Sequence, residues 1–143
     1  MAVQLEHAFT MSKPIDESFA AITDLELLVP CVEGGRVLER TSDDAVKAEI
    51  VVRMGAMSLT FTGTVEVTEK DPEAHRAVMA VKSREKGGQG HANATVAFAL
   101  SDGGGTVNTN AQITGKAASM GEGVVIGVLD ALIKDFTTKI GQI

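Results

Sequence analysis

The chain has 143 residues, 44% of them hydrophobic and 22% charged, which suits one globular domain with a full core. Its net charge of −6 and the lack of a basic run argue against nucleic acid and against simple electrostatic docking to anionic lipid. The single cysteine excludes an intrachain disulfide, and without a run of about 18 apolar residues we expect no membrane-spanning helix.

The N-terminal part of the chain predicts one strand followed by two short helices. Ala2–Met11 alternates apolar and polar residues, which is typical of a half-buried strand. Ile15–Ile22 predicts a helix with two acidic residues in its first turn, where negative charge is favoured. Leu25–Leu28 predicts a second short helix that ends before Pro30.

From Gly34 to Thr114 the apolar residues recur at every second position, which predicts strands with one buried and one solvated face. The predicted strands are Gly34–Glu39, Ala45–Met54, Met57–Lys70, His75–Arg84, His91–Leu100 and Thr106–Thr114. Short turns join them, including Asp102–Gly105 before the last strand. We therefore expect an antiparallel meander.

The C-terminal stretch Ser119–Gly141 predicts one long helix with an apolar face and a length of about 30 Å. Ser119 and Glu122 form a capping-box pattern at its start, and Gly141 suits a left-handed residue after its end. Three glycines near the start each cost about 1 kcal/mol relative to alanine, and they are Gly121, Gly123 and Gly127. They indicate either tight packing of the helix on the sheet or a close approach by another group.

This order of elements predicts an α+β helix-grip fold. A curved seven-stranded antiparallel sheet would wrap round the long C-terminal helix, with the two short helices after the first strand. We interpret residues 1–143 as a single ligand-binding domain.

Small inward residues on adjacent strands, such as Ala48 and Ala94, predict an apolar cavity between sheet and helix. The alternative is a core that phenylalanines and methionines fill completely. The expected lining is Ile50, Val52, Met54, Met57, Leu59, Phe61, Met79, Val81, Ala94, Val96, Ala111, Ile113, Met120, Val124 and Val128. Only Thr109, Ser83 and His7 would add polar groups, so we expect a long and apolar ligand.

One end of the predicted barrel gathers the Met54–Met57 turn, the Glu85–Gly90 loop and the Gly115–Met120 segment, and Leu28–Val32 should arrive at the same end. The expected mouth of the cavity consists of Val29, Pro30, Cys31, Gly55, Gly88 and Gly121. Methionines and other apolar residues at an exposed rim suit a flexible gate or a contact with lipid, or else a lid that tucks inward.

The sequence contains no nucleophile elbow, phosphate-binding loop, HExxH pattern or CxxC pattern. We therefore assign no catalytic residue and no metal ligand. His7 points inward by alternation and is either a satisfied core histidine or a base. Cys31 is either packed in the core or a reactive thiol, and its sequence neighbours are not basic.

Several local patterns in this order resemble the CoxG family, the G subunits of carbon monoxide dehydrogenase, within the START-like (SRPBCC, Bet v 1-like) superfamily, over nearly the whole chain. The patterns are Leu28-Val29-Pro30-Cys31, Met54-Gly55 followed by Phe61-Thr62-Gly63, Gly90-His91-Ala92, and Ile113-Thr114-Gly115-Lys116. The family tends to show a Pro-Gly-Cys run, whereas Cys31 here follows Pro30 directly. Many relatives continue into a linker and a C-terminal membrane anchor, a tail that we expect to be absent from this chain.

The resemblance implies a non-catalytic accessory protein that recruits a molybdenum carbon monoxide dehydrogenase to the membrane. It also implies a cytoplasmic protein that is peripheral at the inner face of the cell membrane. Because that enzyme needs an electron acceptor, our hypothesis is that the cavity binds menaquinone or another isoprenoid quinone and carries it between membrane and enzyme. The expected partners are the dehydrogenase complex and membrane lipid or quinone, without nucleic acid and without a metal.

Two other functions remain open at this point. The first is a pure adaptor with a filled core and no ligand. The second is an enzyme of the cyclase or hydrolase kind that the superfamily also includes, which would need a polar group deep in the cavity, and His7 is the only obvious candidate.

Overall fold

The computed structural model describes residues 1–88 and 90–143 and confirms the predicted helix-grip fold. The strands are β1 (Ala2–Thr10), β2 (Gly35–Ser42), β3 (Ala45–Met54), β4 (Met57–Asp71), β5 (Arg76–Glu85), β6 (His91–Ser101) and β7 (Gly104–Ile113). The helices are α1 (Ile15–Ile22), α2 (Leu25–Leu28), α3 (Lys116–Ser119) and α4 (Glu122–Ile140), and a 3-10 turn covers Val29–Cys31.

The seven strands form one antiparallel sheet in the order β1-β7-β6-β5-β4-β3-β2. The first strand therefore closes against the last one, and β2 lies at the opposite edge. Each strand alternates between a face toward α4 and a face toward solvent, because successive side chains point to opposite sides of a pleated sheet. The concave face of the sheet is the face toward α4, and it lines the interior of the protein.

The bounds of α1, α2 and β3 match the sequence prediction, but the last hairpin differs from it. Its turn contains only Asp102 and Gly103, and β7 already begins at Gly104. Gly104 pairs with both Ser101 and Thr10, so Gly104 and Gly105, which were expected in the turn, belong to the sheet. The predicted Glu85–Gly90 loop includes Gln89, which lies outside the described residues.

The predicted long C-terminal helix is confirmed as α4, but its predicted start after Ser119 is wrong, because the chain breaks at Gly121. This residue has a φ of 98°, a left-handed conformation that glycine adopts without strain. α3 ends at Ser119, whose hydroxyl donates to the carbonyl of Lys116 at 2.6 Å instead of capping α4. Gly141 has a φ of −64°, so the predicted left-handed residue after the helix is also wrong.

The three glycines near the start of α4 do not pack against the sheet. A Cβ added at Gly121, Gly123 or Gly127 would meet no atom within 4 Å. Tight packing of the helix on the sheet therefore does not account for them.

Two apolar clusters lie at the two ends of α4. In the C-terminal cluster, Phe136 and Ile140 of α4 pack with residues in and next to the 3-10 turn. These residues are Leu28, Val29 and Cys31. The N-terminal cluster joins Val125 of α4 and Ala117 of α3 to Met54, Leu59 and Phe61. The expectation that Leu28–Val32 arrives at the same end as the Met54–Met57 turn is therefore wrong.

Candidate ligand-binding cavity

A cavity of about 290 Å³ lies between the concave face of the sheet and α4. Its volume is at the lower limit of the roughly 300–1,000 Å³ found for small-molecule sites. The core is therefore not filled by its phenylalanines and methionines, and the interpretation with an internal cavity is confirmed. Phe61 and Phe98 contribute to the wall rather than occupying the space.

The wall on the helix side is one apolar stripe of α4. It consists of Val125, Val128, Leu129, Leu132, Ile133 and Phe136, whose spacing of three and four residues places them on one face. α4 packs along β1 and also contacts the 3-10 turn. The cavity therefore extends on the side of α4 away from β1, over the strands β7 to β3.

Most of the residues expected to line the cavity do so. They are Ile50, Val52, Met54, Phe61, Met79, Val81, Ala94, Val96, Ala111, Ile113 and Val128. Strand alternation brings them together, because period two fixes which face of each strand is concave. Their contact with a ligand stays a prediction.

Four expected lining residues lie elsewhere. Met57 begins β4 at the end of the sheet and is 37% exposed, and Leu59 is buried in the N-terminal cluster. Met120 precedes α4 and packs against the same cluster. Val124 is 43% exposed, because one step along the helix from Val125 turns the side chain by about 100°.

Of the six residues expected at the mouth, Val29 borders the cavity and the other five do not. Val29 lines the cavity beside the C-terminal cluster, and Cys31 is buried within that cluster. Pro30 is exposed on the 3-10 turn. The other three are exposed glycines with open space at the position of a Cβ, and they are Gly55, Gly88 and Gly121.

Other lining residues were missed by the sequence analysis. Leu28 and Val32 border the cavity beside the 3-10 turn, and Leu132, Ile133 and Phe136 extend it toward the end of α4. The apolar period of α4 continues to Phe136, so the sequence carried a signal for the helix residues. No local pattern placed the 3-10 turn there, because its position depends on contacts with α4.

Few polar groups border the cavity. The hydroxyl of Ser83 donates to the carbonyl of Ala92 at 2.5 Å, and Thr109 is buried in the wall. Glu49 also borders the space, but its carboxylate lies 3.0 Å from the guanidinium of Arg36.

His7 is not part of the cavity wall, contrary to expectation. Its Nε2 lies 2.7 Å from Oδ1 of Asp130, and its Nδ1 is buried without a partner in the described part of the chain. Oδ2 of Asp130 also accepts from Lys134 at 2.8 Å. The pKa of Asp130 is lowered by the Lys134 hydrogen bond first and by His7 second.

Cys31 is a core residue. Its thiol donates to the carbonyl of Leu27 at 3.4 Å, and burial raises its pKa above the ordinary value. A protonated thiol is a poor nucleophile, so the core alternative for Cys31 is confirmed over the reactive one.

The described residues contain no group of three or more His, Cys, Asp or Glu side chains that could hold a metal ion. Over residues 1–88 and 90–143, none of the helices has the length and apolar character needed to cross a membrane.

Comparisons with known proteins agree with this architecture. The family model for the G subunit of carbon monoxide dehydrogenase (CoxG) matches residues 8–142. No curated protein matches the sequence.

Solved structures with a similar fold include a conserved protein from Geobacillus kaustophilus, which is 23% identical with a TM-score of 0.78 over 99% of this chain and 93% of that one. The protein TTHA0849 from Thermus thermophilus is 14% identical with a TM-score of 0.69, covering 98% and 97% of the two chains. The Zhui aromatase/cyclase from a Streptomyces species is 16% identical with a TM-score of 0.53, covering 99% and 90%. Identities this low establish a shared fold only.

Proposed function

Because this chain belongs to the CoxG family of carbon monoxide dehydrogenase, we propose that it serves a molybdenum carbon monoxide dehydrogenase as a non-catalytic accessory protein. Its cavity binds a respiratory quinone of the menaquinone kind, and the protein carries this quinone between the membrane and the enzyme. It also recruits the enzyme to the inner face of the cell membrane.

The observation that supports the proposal most strongly is an apolar cavity of about 290 Å³ with almost no polar groups in its wall. Such a wall suits a hydrocarbon-rich ligand, since each buried CH₂ contributes about 0.8 kcal/mol. The volume suits a quinone ring with part of its tail rather than a whole polyprenyl chain. The rest of the tail leaves the cavity on the side of α4 away from β1.

Membrane contact is supported by exposed apolar side chains rather than by charge. Met57 and Val124 are 37% and 43% exposed, and both neighbour residues of the N-terminal cluster. The net charge of −6 opposes attraction to anionic lipid. We infer that this end of the molecule touches the bilayer through apolar contact.

The two alternative functions lose support for separate reasons. A pure adaptor was expected to have a completely filled core, whereas this protein has an internal cavity. An enzyme was expected to use His7, but its Nε2 is bonded to Asp130 outside the cavity wall.

A vesicle-transfer experiment tests the proposal. Phosphatidylcholine vesicles that contain menaquinone are mixed with acceptor vesicles that lack it, and the quinone in the separated acceptors is measured over time. We expect the wild-type protein to accelerate transfer and Ala94→Phe, which fills the cavity, to return it to the rate without protein. Ala97→Phe is the matched control, because Ala97 lies on the same strand but faces away from the cavity.

Melting curves confirm that both variants are folded before transfer is compared. Equal transfer by Ala94→Phe and wild-type protein would exclude the cavity as the carrier site. The absence of any acceleration by the wild-type protein would exclude the carrier function itself.

A further inference from the structure

Thr109 carries a hydroxyl on the concave face that makes no hydrogen bond in the described part of the protein, whereas Thr64, which also borders the cavity, is exposed to solvent. Thr109 lies on β7 between Val107 and Ala111 of the same concave face and is only 8% exposed. Its neighbours across the sheet are Leu5 on β1 and Val96 on β6, which are both apolar. The group therefore faces the cavity with its hydrogen and its lone pairs unused.

The hydroxyl of Ser83, which also borders the cavity, differs from that of Thr109 because it already has a partner in the protein. Its hydroxyl hydrogen is donated to the carbonyl of Ala92, so this residue offers only lone pairs to a ligand. Thr109 can both donate and accept. The two residues also lie on different strands, with β6 between them.

A hydroxyl in an apolar wall loses its hydrogen bonds to water once an apolar occupant fills the cavity, and this loss is costly unless the occupant itself supplies a partner. Valine has almost the same shape as threonine and an equal preference for strands, without that disadvantage. At position 109 a valine would complete an apolar wall. The hydroxyl therefore indicates a partner that is supplied by the occupant of the cavity.

We propose that Thr109 is the polar anchor of the bound quinone, donating a hydrogen bond to one ring carbonyl oxygen. This inference rests on the proposed function and adds an orientation to it. The ring lies over β7 and β6, and the tail runs across β5 and β4, away from β1. By rotating, the same hydroxyl accepts from the OH of the reduced quinol, so the site holds both redox states of its cargo.

The test compares two probes that differ only in their carbonyl groups, 2,3-dimethyl-1,4-naphthoquinone and 2,3-dimethylnaphthalene. The ring positions that thiols attack carry methyl groups, so Cys31 cannot add to the quinone. Binding is measured by isothermal titration calorimetry, since the chain has no Trp or Tyr for fluorescence quenching. The variants are Thr109→Val, Thr109→Ser and the control Thr95→Val, which makes the same change at an exposed position of β6.

We expect Thr109→Val to bind the quinone roughly fivefold to tenfold more weakly than wild-type protein, as the loss of one neutral hydrogen bond predicts. The hydrocarbon should bind both proteins equally. Thr109→Ser should keep most of the preference for the quinone, and Thr95→Val should match wild-type protein with both probes.

Equal quinone affinity of Thr109→Val and wild-type protein would overturn the anchor while leaving cavity binding intact. Failure of the wild-type protein to bind either probe would instead overturn the proposed ligand site, and the anchor with it. If Thr109→Val does not fold, Thr109→Ala and Thr109→Ser replace it, because the serine variant differs from the alanine variant by the hydroxyl alone.

Discussion

The ionisable side chains near the cavity form hydrogen bonds or ion pairs with residues outside the cavity. The carboxylate of Glu49 pairs with Arg36 on the outer face of the sheet, and the imidazole of His7 pairs with Asp130. Burial raises the pKa of Cys31 and keeps its thiol neutral. The space is therefore free of charge, which is the condition under which an apolar ligand binds best.

The pair of His7 on β1 and Asp130 on α4 predicts a pH dependence of stability. The pKa of Asp130 is lowered in the folded state by Lys134 and His7, so folding favours its ionised form. This contribution is complete above the ordinary carboxyl pKa of about 3.9 and is lost as the pH falls below it. When the pH is lowered from about 5 to about 3, the free energy of unfolding should therefore fall by a smaller amount for Asp130→Asn than for the wild-type protein.

Denaturant unfolding at a series of pH values measures this difference. Asp102→Asn is the control, since Asp102 lies in an exposed turn and has no salt bridge in the described part of the protein. A parallel decline for Asp130→Asn and wild-type protein would show that Asp130 does not couple α4 to β1 in solution.

At the level of elements, replacing glycine by alanine should change the unfolding free energy in opposite directions at two positions, one in β4 and one in α4. A Cβ at Gly63 would overlap the backbone carbonyl of Lys82 on the neighbouring strand β5, so Gly63→Ala forces β4 out of place. We expect a loss of about 1–3 kcal/mol of unfolding free energy. Gly127 lies within α4 and has open space at its Cβ, so Gly127→Ala should gain roughly 0.5–1 kcal/mol.

Chemical denaturation of both variants against wild-type protein gives the two free energies directly. A gain at position 63 would mean that β4 has no close approach to β5 there. A loss at position 127 would mean that the outer side of α4 is in contact with something in the folded protein.

The elements were predictable from the sequence where one local pattern decided the outcome. Period-two alternation gave strands β3 to β7 and most of the concave lining, because it fixes both conformation and face. The start of α4 was mistaken because Ser119 and Glu122 satisfy a capping pattern, although Gly121 between them breaks the helix. Backbone breaks of this kind depend on one φ angle and leave no periodic signal.

The remaining errors concern distances between elements. Met57 satisfied the inward pattern of β4, yet α4 leaves it partly uncovered at the end of the sheet. Leu28 and the 3-10 turn packed against the far end of α4 instead of the predicted rim. Neither outcome follows from local sequence, because both depend on where one helix comes to rest on a curved sheet.

At the scale of the whole molecule, the helix-grip fold separates two tasks. The sheet and the two apolar clusters at the ends of α4 supply stability, and the space between them is left open. An open apolar space lowers stability relative to a filled one, so its occupation by a ligand should stabilise the protein. Under the proposed function, this occupant of the native protein is an isoprenoid quinone.

Native mass spectrometry of the purified protein, followed by organic extraction and identification of the released material, is the most direct test for a bound quinone. We expect a complex with one isoprenoid quinone per chain, or its formation when the protein is incubated with menaquinone. A ligand-free mass that stays unchanged after that incubation would contradict the carrier function and favour the adaptor.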